Sequence, residues 1–325
     1  MHKIPLTIAL LCLSQALFAQ KKHNDYYMTY SGRYVNDRDS ADYMRVVSEP
    51  DSGSKFYNVT EYYKNGQLRT RTKSSSIEPV IEEGEFISYY PNGKLKMKGY
   101  HVDGYLVGKD YKYYPNGKLY LEDDYGLWNT EKPVNEQYRS YHVITVMDST
   151  GKTLVSDGNG TYSVFSGADF KYPIESGPVK SGLKDGIWTG RNYTYKTKFT
   201  EQYEAGKLIR GSGIDSAGGV HEYTQRSVEP QYPGGYKALY KFIDRQIEYP
   251  QYAREHGKEG KVFISLTIAK DGTISKMRIA KSAHPVLDAE AMRVMALTKG
   301  WQPGVFCGSP INWTITLPVS FALTR

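Results

Sequence analysis

The alternation of apolar and polar positions divides the chain into stretches of different character, and the last hundred residues carry the clearest signals. Tyr236 to Ile247 sets Leu239, Phe242, Ile243 and Ile247 at a helical period. Glu248-Tyr249-Pro250 breaks that helix, and Gln251 to His256 predicts one more short helical piece. Gly260 to Ala269 then alternates, with Val262, Ile264, Leu266 and Ile268 on one face. Asp271-Gly272 reads as a hairpin turn and Thr273 to Ala280 as the return strand. His284-Pro285 opens a helix with Leu287, Ala291, Val294, Met295 and Thr298 on one side, and Trp313, Ile315, Leu317, Val319, Phe321 and Leu323 alternate without a gap. The order helix, strand, strand, helix, strand predicts a small α+β domain with two helices on one face of an antiparallel sheet. Pro318 cannot donate to a ladder, which places the last strand at a sheet edge. An edge strand offers unpaired N–H and C=O groups to another chain, so the pattern points to capture of an extended peptide by strand addition.

The middle of the chain repeats itself. YYPNGKL stands at Tyr89–Leu95 and again at Tyr113–Leu119, and a looser copy, YYKNGQL, stands at Tyr62–Leu68. A degenerate copy follows over Gly186–Trp188 and Tyr203–Leu208. Asn-Gly between alternating segments is a strong hairpin signal, because both residues accept the positive φ of a tight primed turn. Pro91 and Pro115 end the strand where a missing N–H does least damage. Each unit is expected to be a strand, a turn and a return strand. One hairpin alone is marginal, so neighbouring units must pair into a mainly β hairpin-repeat region.

The start is a different object. Lys3 precedes the apolar run Ile4–Phe18, and the small residue Ala19 closes it. The run is shorter than the roughly 20 apolar residues of a spanning helix, so a cleaved secretory signal is expected, with the mature chain beginning near Gln20. Cleavage there removes Cys12 and leaves Cys307 as a lone thiol, so no internal disulfide is available to an exported protein of this kind.

Composition changes the picture in two places. The 30 tyrosines favour strands with half-wet faces. The formal charge of +7, spread over 325 residues with no block of like charge, gives no nucleic-acid patch. Catalytic and cofactor motifs are missing: there is no His-Glu-x-x-His, P-loop, Gly-x-Ser-x-Gly or cysteine pair, and the seven histidines have no ligand-like spacing. Asp123-Asp124 and Glu82-Glu83 are expected to be solvated turn residues rather than catalytic carboxylates. The chain is therefore expected to be no enzyme and to hold no cofactor or metal.

Two resemblances follow from these motifs. The Tyr, Asn-Gly and Gly-Lys-Leu steps over residues 57 to 126, with a weaker echo at 157 to 224, resemble variant MORN repeats. The run from Tyr232-Pro-Gly-Gly through Tyr249-Pro250, Ala253-Arg254, Glu259-Gly260-Lys261-Val262, Asp271-Gly272, Leu287-Asp288, Trp301-Gln302-Pro303-Gly304 and Leu317-Pro318-Val319-Ser320-Phe321 resembles the TonB C-terminal domain, in the form of Bacteroidetes-type energy transducers. That resemblance implies a periplasmic domain gripping the extended TonB box of outer-membrane receptors. It implies a partner strand beside Asn312, Trp313, Thr314, Ile315, Thr316 and Leu317, with side-chain contacts from Gln246 and Tyr249. Trp301 and Pro303 match family landmarks and are expected in the core and a loop. A transducer of this family keeps an uncleaved inner-membrane helix and a Pro-rich spacer; here the apolar segment reads as a cleaved signal and the middle as hairpin repeats, so coupling to an inner-membrane motor is not expected. The expected organisation is a signal over residues 1–20, an N-terminal segment with hairpin repeats over 21–226, and a TonB-like domain over 227–325. The alternative is an envelope scaffold in which the repeats are the interaction surface.

Overall fold

The computed structural model of the chain describes residues 22–126 and 141–323; the expected signal segment lies outside them. The chain divides into two compact units, Met1–Ser140 and Tyr141–Arg325.

In the first unit His23–Met28 pairs with Tyr43–Ser48, and Tyr57–Tyr63, Leu68–Ser74, Glu82–Tyr89, Leu95–Val102, Tyr105–Tyr113 and Leu119–Asp124 follow as an antiparallel meander. The Asn-Gly turns differ from the two-residue primed turn expected of them. Only the glycines, Gly66, Gly93 and Gly117, have positive φ. The Gly93 N–H donates to the Tyr90 carbonyl at 2.8 Å and the Tyr90 N–H to the Lys94 carbonyl at 2.8 Å, with a bulge beside Tyr89. Pro91 sits where its fixed φ suits the first central position of a type I turn, and the glycine absorbs the left-handed step that follows. Asn92 accepts from the Lys94 N–H through Oδ1 at 3.1 Å, an Asx interaction that a primed turn would not use. Two-residue turns do occur, at Asp103-Gly104 between paired Val102 and Tyr105, where both φ values are positive.

The letter-for-letter repeat has a second cause. The Tyr90 hydroxyl donates to the Tyr113 carbonyl at 2.6 Å, Asn92 Nδ2 to the Pro115 carbonyl at 2.8 Å, and Lys94 Nζ to the Asn116 carbonyl at 2.8 Å. The Tyr63 hydroxyl donates likewise to the Tyr89 carbonyl at 2.7 Å. Each copy thus donates to the backbone of the next, at carbonyls of its turn and of the strand residue leading into it. Burial pushes the Tyr90 phenol up to about 12, so it stays a donor throughout the ordinary pH range.

The paired acids are not solvated turn residues. Glu82–Glu83 belong to a strand, and Asp123 is fully buried in another. Lys112 Nζ lies 2.9 Å from Asp123 and 3.0 Å from Asp110, also fully buried. Strand alternation drives every second residue inward, and here a lysine answers the charge. Gly99 makes the room, since a Cβ there would stand 2.9 Å from Asp110 Oδ1.

The second unit has an antiparallel meander of its own through Asn159–Phe165, Pro173–Lys180, Gly186–Asn192, Thr197–Glu204, Lys207–Ile214 and Val220–Tyr223. Its Ala205-Gly206 turn, between paired Glu204 and Lys207, has positive φ at both residues. The C-terminal part follows the expected order. Helix α1 is Gly235–Gln246, α2 is Gln251–Glu255 and α3 is Pro285–Ala296. They pack with a three-stranded antiparallel sheet of Ile274–Lys281, Gly260–Ile268 in the centre, and Trp313–Phe321. Leu239, Ile243, Ala253, Leu287, Ala291, Val294 and Met295 meet Val262, Ile264, Leu266, Ile268, Ile315, Leu317, Val319 and Phe321 in one core. Trp301 is buried in it, donating through Nε1 to Thr298 Oγ1 at 3.1 Å. A second small sheet was not expected: the hairpin Gly304–Phe306 and Ser309–Ile311, paired to Ser227–Val228.

Replacing Gly93 by Val forces a β-branched residue to φ 79° and should lower stability by about 1–3 kcal/mol. Tyr90→Phe removes the link to the next copy and should cost about 0.5–1.5 kcal/mol. Chemical denaturation checks both; unchanged midpoints would refute this account of the repeat.

Candidate functional site

Trp313–Phe321 pairs with the central strand over nine residues, from Trp313 opposite Ile268 to Phe321 opposite Gly260, and no described strand covers its other edge. Ile315, Leu317, Val319 and Phe321 are buried toward the helices. Thr314, Thr316 and Ser320 are exposed on the opposite face. Trp313 is half-buried, its ring against Gly304, where a Cβ would come within 2.7 Å of it. Asn312 accepts from the Lys270 N–H through Oδ1 at 3.1 Å, tying the start of the strand to the 269–273 turn.

The direction of the backbone groups follows from two observations. In an antiparallel pair, hydrogen-bonded and non-hydrogen-bonded positions alternate, and side chains come closer at the latter. Thr314 Oγ1 meets Thr267 Oγ1 across the pair at 2.8 Å, the close approach of a non-hydrogen-bonded position. Pro318, opposite Phe263, has the same parity and no N–H to offer. Both place the backbone groups of Thr314, Thr316 and Ser320 outward, at the uncovered edge, with one donor missing at Pro318.

Gln246 and Tyr249 lie elsewhere. Gln246 ends α1, and its carbonyl accepts from Arg293 Nη2 of α3 at 2.7 Å. The Glu248 N–H donates to Glu290 at 2.6 Å, so α3 holds this connecting segment at two points. Tyr249 donates its hydroxyl to the Lys258 carbonyl at 2.6 Å and stands edge-on to Phe321, with ring centres 5.8 Å apart. That is the far end of the last strand, about 20 Å from Ile315 at the usual rise per residue. The structure therefore brings Asn312 to Leu317 together along one edge and sets Tyr249 beyond Pro318.

Residues 245–323 match the family model of the Gram-negative bacterial TonB protein C-terminal. Residues 82–103 and 106–125 match the MORN repeat variant. No curated protein matches the chain. The TonB-like match begins inside α1, so Tyr232, which packs edge-on to Trp301 at 5.4 Å, belongs to the structural domain but precedes the matched segment. Proteins of this family are envelope-associated and serve energy transduction. Among the described residues no helix is long and apolar enough to cross a membrane, and no group of side chains could hold a metal ion.

The TonB-like domain is built onto the last strands of the repeat sheet. Its Cys307-Gly308 turn presses on Phe199 and Tyr223 with the thiol fully buried, and burial pushes that thiol up. The Cys307 N–H donates to the Arg226 carbonyl at 2.7 Å, and a Cβ at Gly213 would stand 2.1 Å from the Cys307 carbonyl oxygen. Arg226 itself reaches back into the repeats. Nε donates to Glu201 Oε1 at 2.7 Å, Nη2 donates to Glu201 Oε2, and Nη2 also donates to Glu175 at 2.8 Å. Tyr223 and Tyr203 donate their hydroxyls to the same Glu201 carboxylate at 2.8 and 2.9 Å. Burial alone would raise the Glu201 carboxyl, but Arg226 and the two phenols hold it below the ordinary carboxylate range. Sequence reading missed this joint, because a lone Cys-Gly and an isolated Arg carry no signal until the hairpin is formed.

A depressed folded-state pKa contributes stability above the unfolded value and loses it as the pH falls through the folded one. The second unit should therefore weaken as the pH drops below about 4.5, the ordinary glutamate value. Glu201→Gln should flatten that acid limb at a lower plateau. Arg226→Ala leaves a buried carboxylate short of its charge partner and should cost about 3–5 kcal/mol. Denaturation of the three proteins from about pH 3 to about pH 7, from below the ordinary carboxylate range to well above it, is the check.

Proposed function

We propose that this is an exported TonB-like protein which captures an extended segment of an outer-membrane receptor by strand addition on Trp313–Phe321, in support of energy-coupled transport across the outer membrane. The observation that carries this reading is the uncovered edge, with Thr314, Thr316 and Ser320 turned outward and the opposite flank locked into a nine-residue ladder. Each main-chain hydrogen bond gained there contributes about 0.5–1.5 kcal/mol net, so affinity rests on the backbone and tolerates many receptor side chains. Pairing concentrates over Asn312 to Leu317, ahead of the donor missing at Pro318. A segment long enough to pass Pro318 runs toward Phe321 and there meets Tyr249, while Gln246 contributes from the end of α1. The protein works in the periplasm once the signal is removed near Gln20, and a binding role rather than catalysis fits both matched families.

Backbone amide shifts of the full chain, followed during titration with a receptor-derived extended peptide, test the site. The expected shifts fall on residues 312 to 317 and their central-strand partners; silence there with shifts in the repeats would favour the scaffold reading. Thr314→Pro removes one outward N–H and should weaken peptide binding about three- to tenfold with a smaller effect on the melting temperature. Sequencing the N-terminus of the protein from periplasm and from membranes tests export: a retained Met1–Phe18 segment would overturn the cleaved signal.

A further inference from the structure

The outer face of the second unit's repeat sheet is built differently from its inner one. Cross-strand pairing sets Ser163, Ser176, Thr189, Thr200 and Ser212 directly opposite one another in turn, a single row of hydroxyls across five strands. Neighbouring strands lie about 4.8 Å apart; Ser176 Oγ donates to the Tyr162 carbonyl at 3.0 Å, and the row presents the hydroxyls of Thr189, Thr200 and Ser212 at that interval over about 10 Å. Among the described residues, Thr189, Thr200 and Ser212 spend their hydroxyls on no protein hydrogen bond. The adjoining row on the same face is Arg191, Lys198 and Ile214, again paired directly opposite one another. Both cations are exposed and neither meets a carboxylate among the described residues. The two rows line a cleft of about 480 Å³.

Arg191 also lines a second cleft, of about 570 Å³, together with Ile174, Tyr172 and Tyr193. Tyr172 and Tyr193 are 55% and 45% exposed and form an edge-on pair with ring centres 5.6 Å apart. The Tyr193 hydroxyl donates to the Pro173 carbonyl at 3.2 Å, and the Arg191 guanidinium lies 5.8 Å from the Tyr193 ring centre. These contacts orient the aromatic wall without covering it. Glu175 borders both clefts, but its carboxylate is taken by Lys184 at 2.6 Å and Arg226 at 2.8 Å.

We infer that this face binds a carboxylate-bearing oligosaccharide, lying along the hydroxyl row with its acid groups at Arg191 and Lys198 and a terminal ring against Tyr172 and Tyr193. Serine and threonine hydroxyls both donate and accept, which suits the alcohols of a sugar better than an acceptor-only phosphate. Exposed tyrosines give a flat apolar surface with a polar tip, suited to the C–H face of a pyranose. Two cations answer occasional carboxylates; a nucleic acid presents one charge per phosphate and asks for a longer basic track. Pyranose rings linked end to end advance by a length close to the strand spacing, so successive sugars meet successive hydroxyls. This site is separate from the edge of Trp313–Phe321 and stands or falls without it.

The test uses the full chain and three probes: a hexamer of galacturonic acid, its methyl ester, and maltohexaose, measured by calorimetry and by amide shifts. The acid form is expected to bind at least tenfold tighter than the ester, with shifts at Thr189, Thr200 and Ser212. Arg191→Ala with Lys198→Ala should remove that preference, and Thr189→Val with Thr200→Val should weaken acid and ester alike. These side chains are exposed, so melting temperatures should hold; a variant that melts early is replaced by Lys198→Gln alone, which must still narrow the acid–ester gap. No binding of any probe, shifts confined to other faces, or equal binding of inorganic polyphosphate would overturn the proposal.

Discussion

A carboxylate with no exposed surface has to be answered at both oxygens, and Glu201 is answered from three directions. Arg226 grips it from the segment leaving the repeats, while Tyr203 and Tyr223 come from the sheet itself. Removing two charges from water costs several kcal/mol each unless geometry and further hydrogen bonds return it. Here Glu175 supplies a second carboxylate to the same guanidinium, and Phe199 lies beneath it, 4.5 Å from the guanidinium carbon to the ring centre. Because the Arg226 carbonyl also receives the Cys307 N–H, the pair fixes where the hairpin of the TonB-like domain lands. Register of the sheet, exit of the chain and seating of the next domain all rest on this one node.

The two halves of the chain were legible to different degrees for physical reasons. Period-2 and period-3.6 patterns report which residues a core buries, so Gly260–Ile268, Pro285–Ala296 and Trp313–Phe321 emerge within a residue or two of their expected ends. The Asn-Gly turns were located correctly and given the wrong geometry. Asn-Gly suits a primed turn, but the same bulged turn forms with Lys64 as with Pro91 and Pro115 before the Asn, the glycine alone taking the positive φ and the Asn side chain accepting inside the loop. The acids at Glu82-Glu83 and Asp123-Asp124 misled because burial of a charge is settled by its partner, and Lys112 is eleven residues away from Asp123 in the chain.

Of the candidate site, the edge position of the last strand could be read from Pro318 alone, since a missing donor excludes the middle of a sheet. The direction of the Thr314 and Thr316 amides was implied by the parity they share with Pro318, and the register that sets Thr314 beside Thr267, nearly fifty residues earlier, supplies the second observation. The distance of Tyr249 from Ile315 could not be read, because it depends on where the connecting segment between α1 and α2 is pinned by Glu290 and Arg293. The hydroxyl row was invisible as well. Five residues on five strands share a line only after four separate registers are set.

The ladder between Gly260–Ile268 and Trp313–Phe321 also has a mechanical meaning. All nine cross-strand pairs lie side by side along one axis, so tension applied along the last strand loads them together, in shear. Bonds loaded in parallel must break nearly at once, whereas a pull across the strands would open them one after another from an end. The Glu259 carboxylate, which accepts from the Leu323 N–H just past that end, closes the place where peeling would start. The last strand is thus a weak hinge to a sideways force and a stiff rod to a longitudinal one.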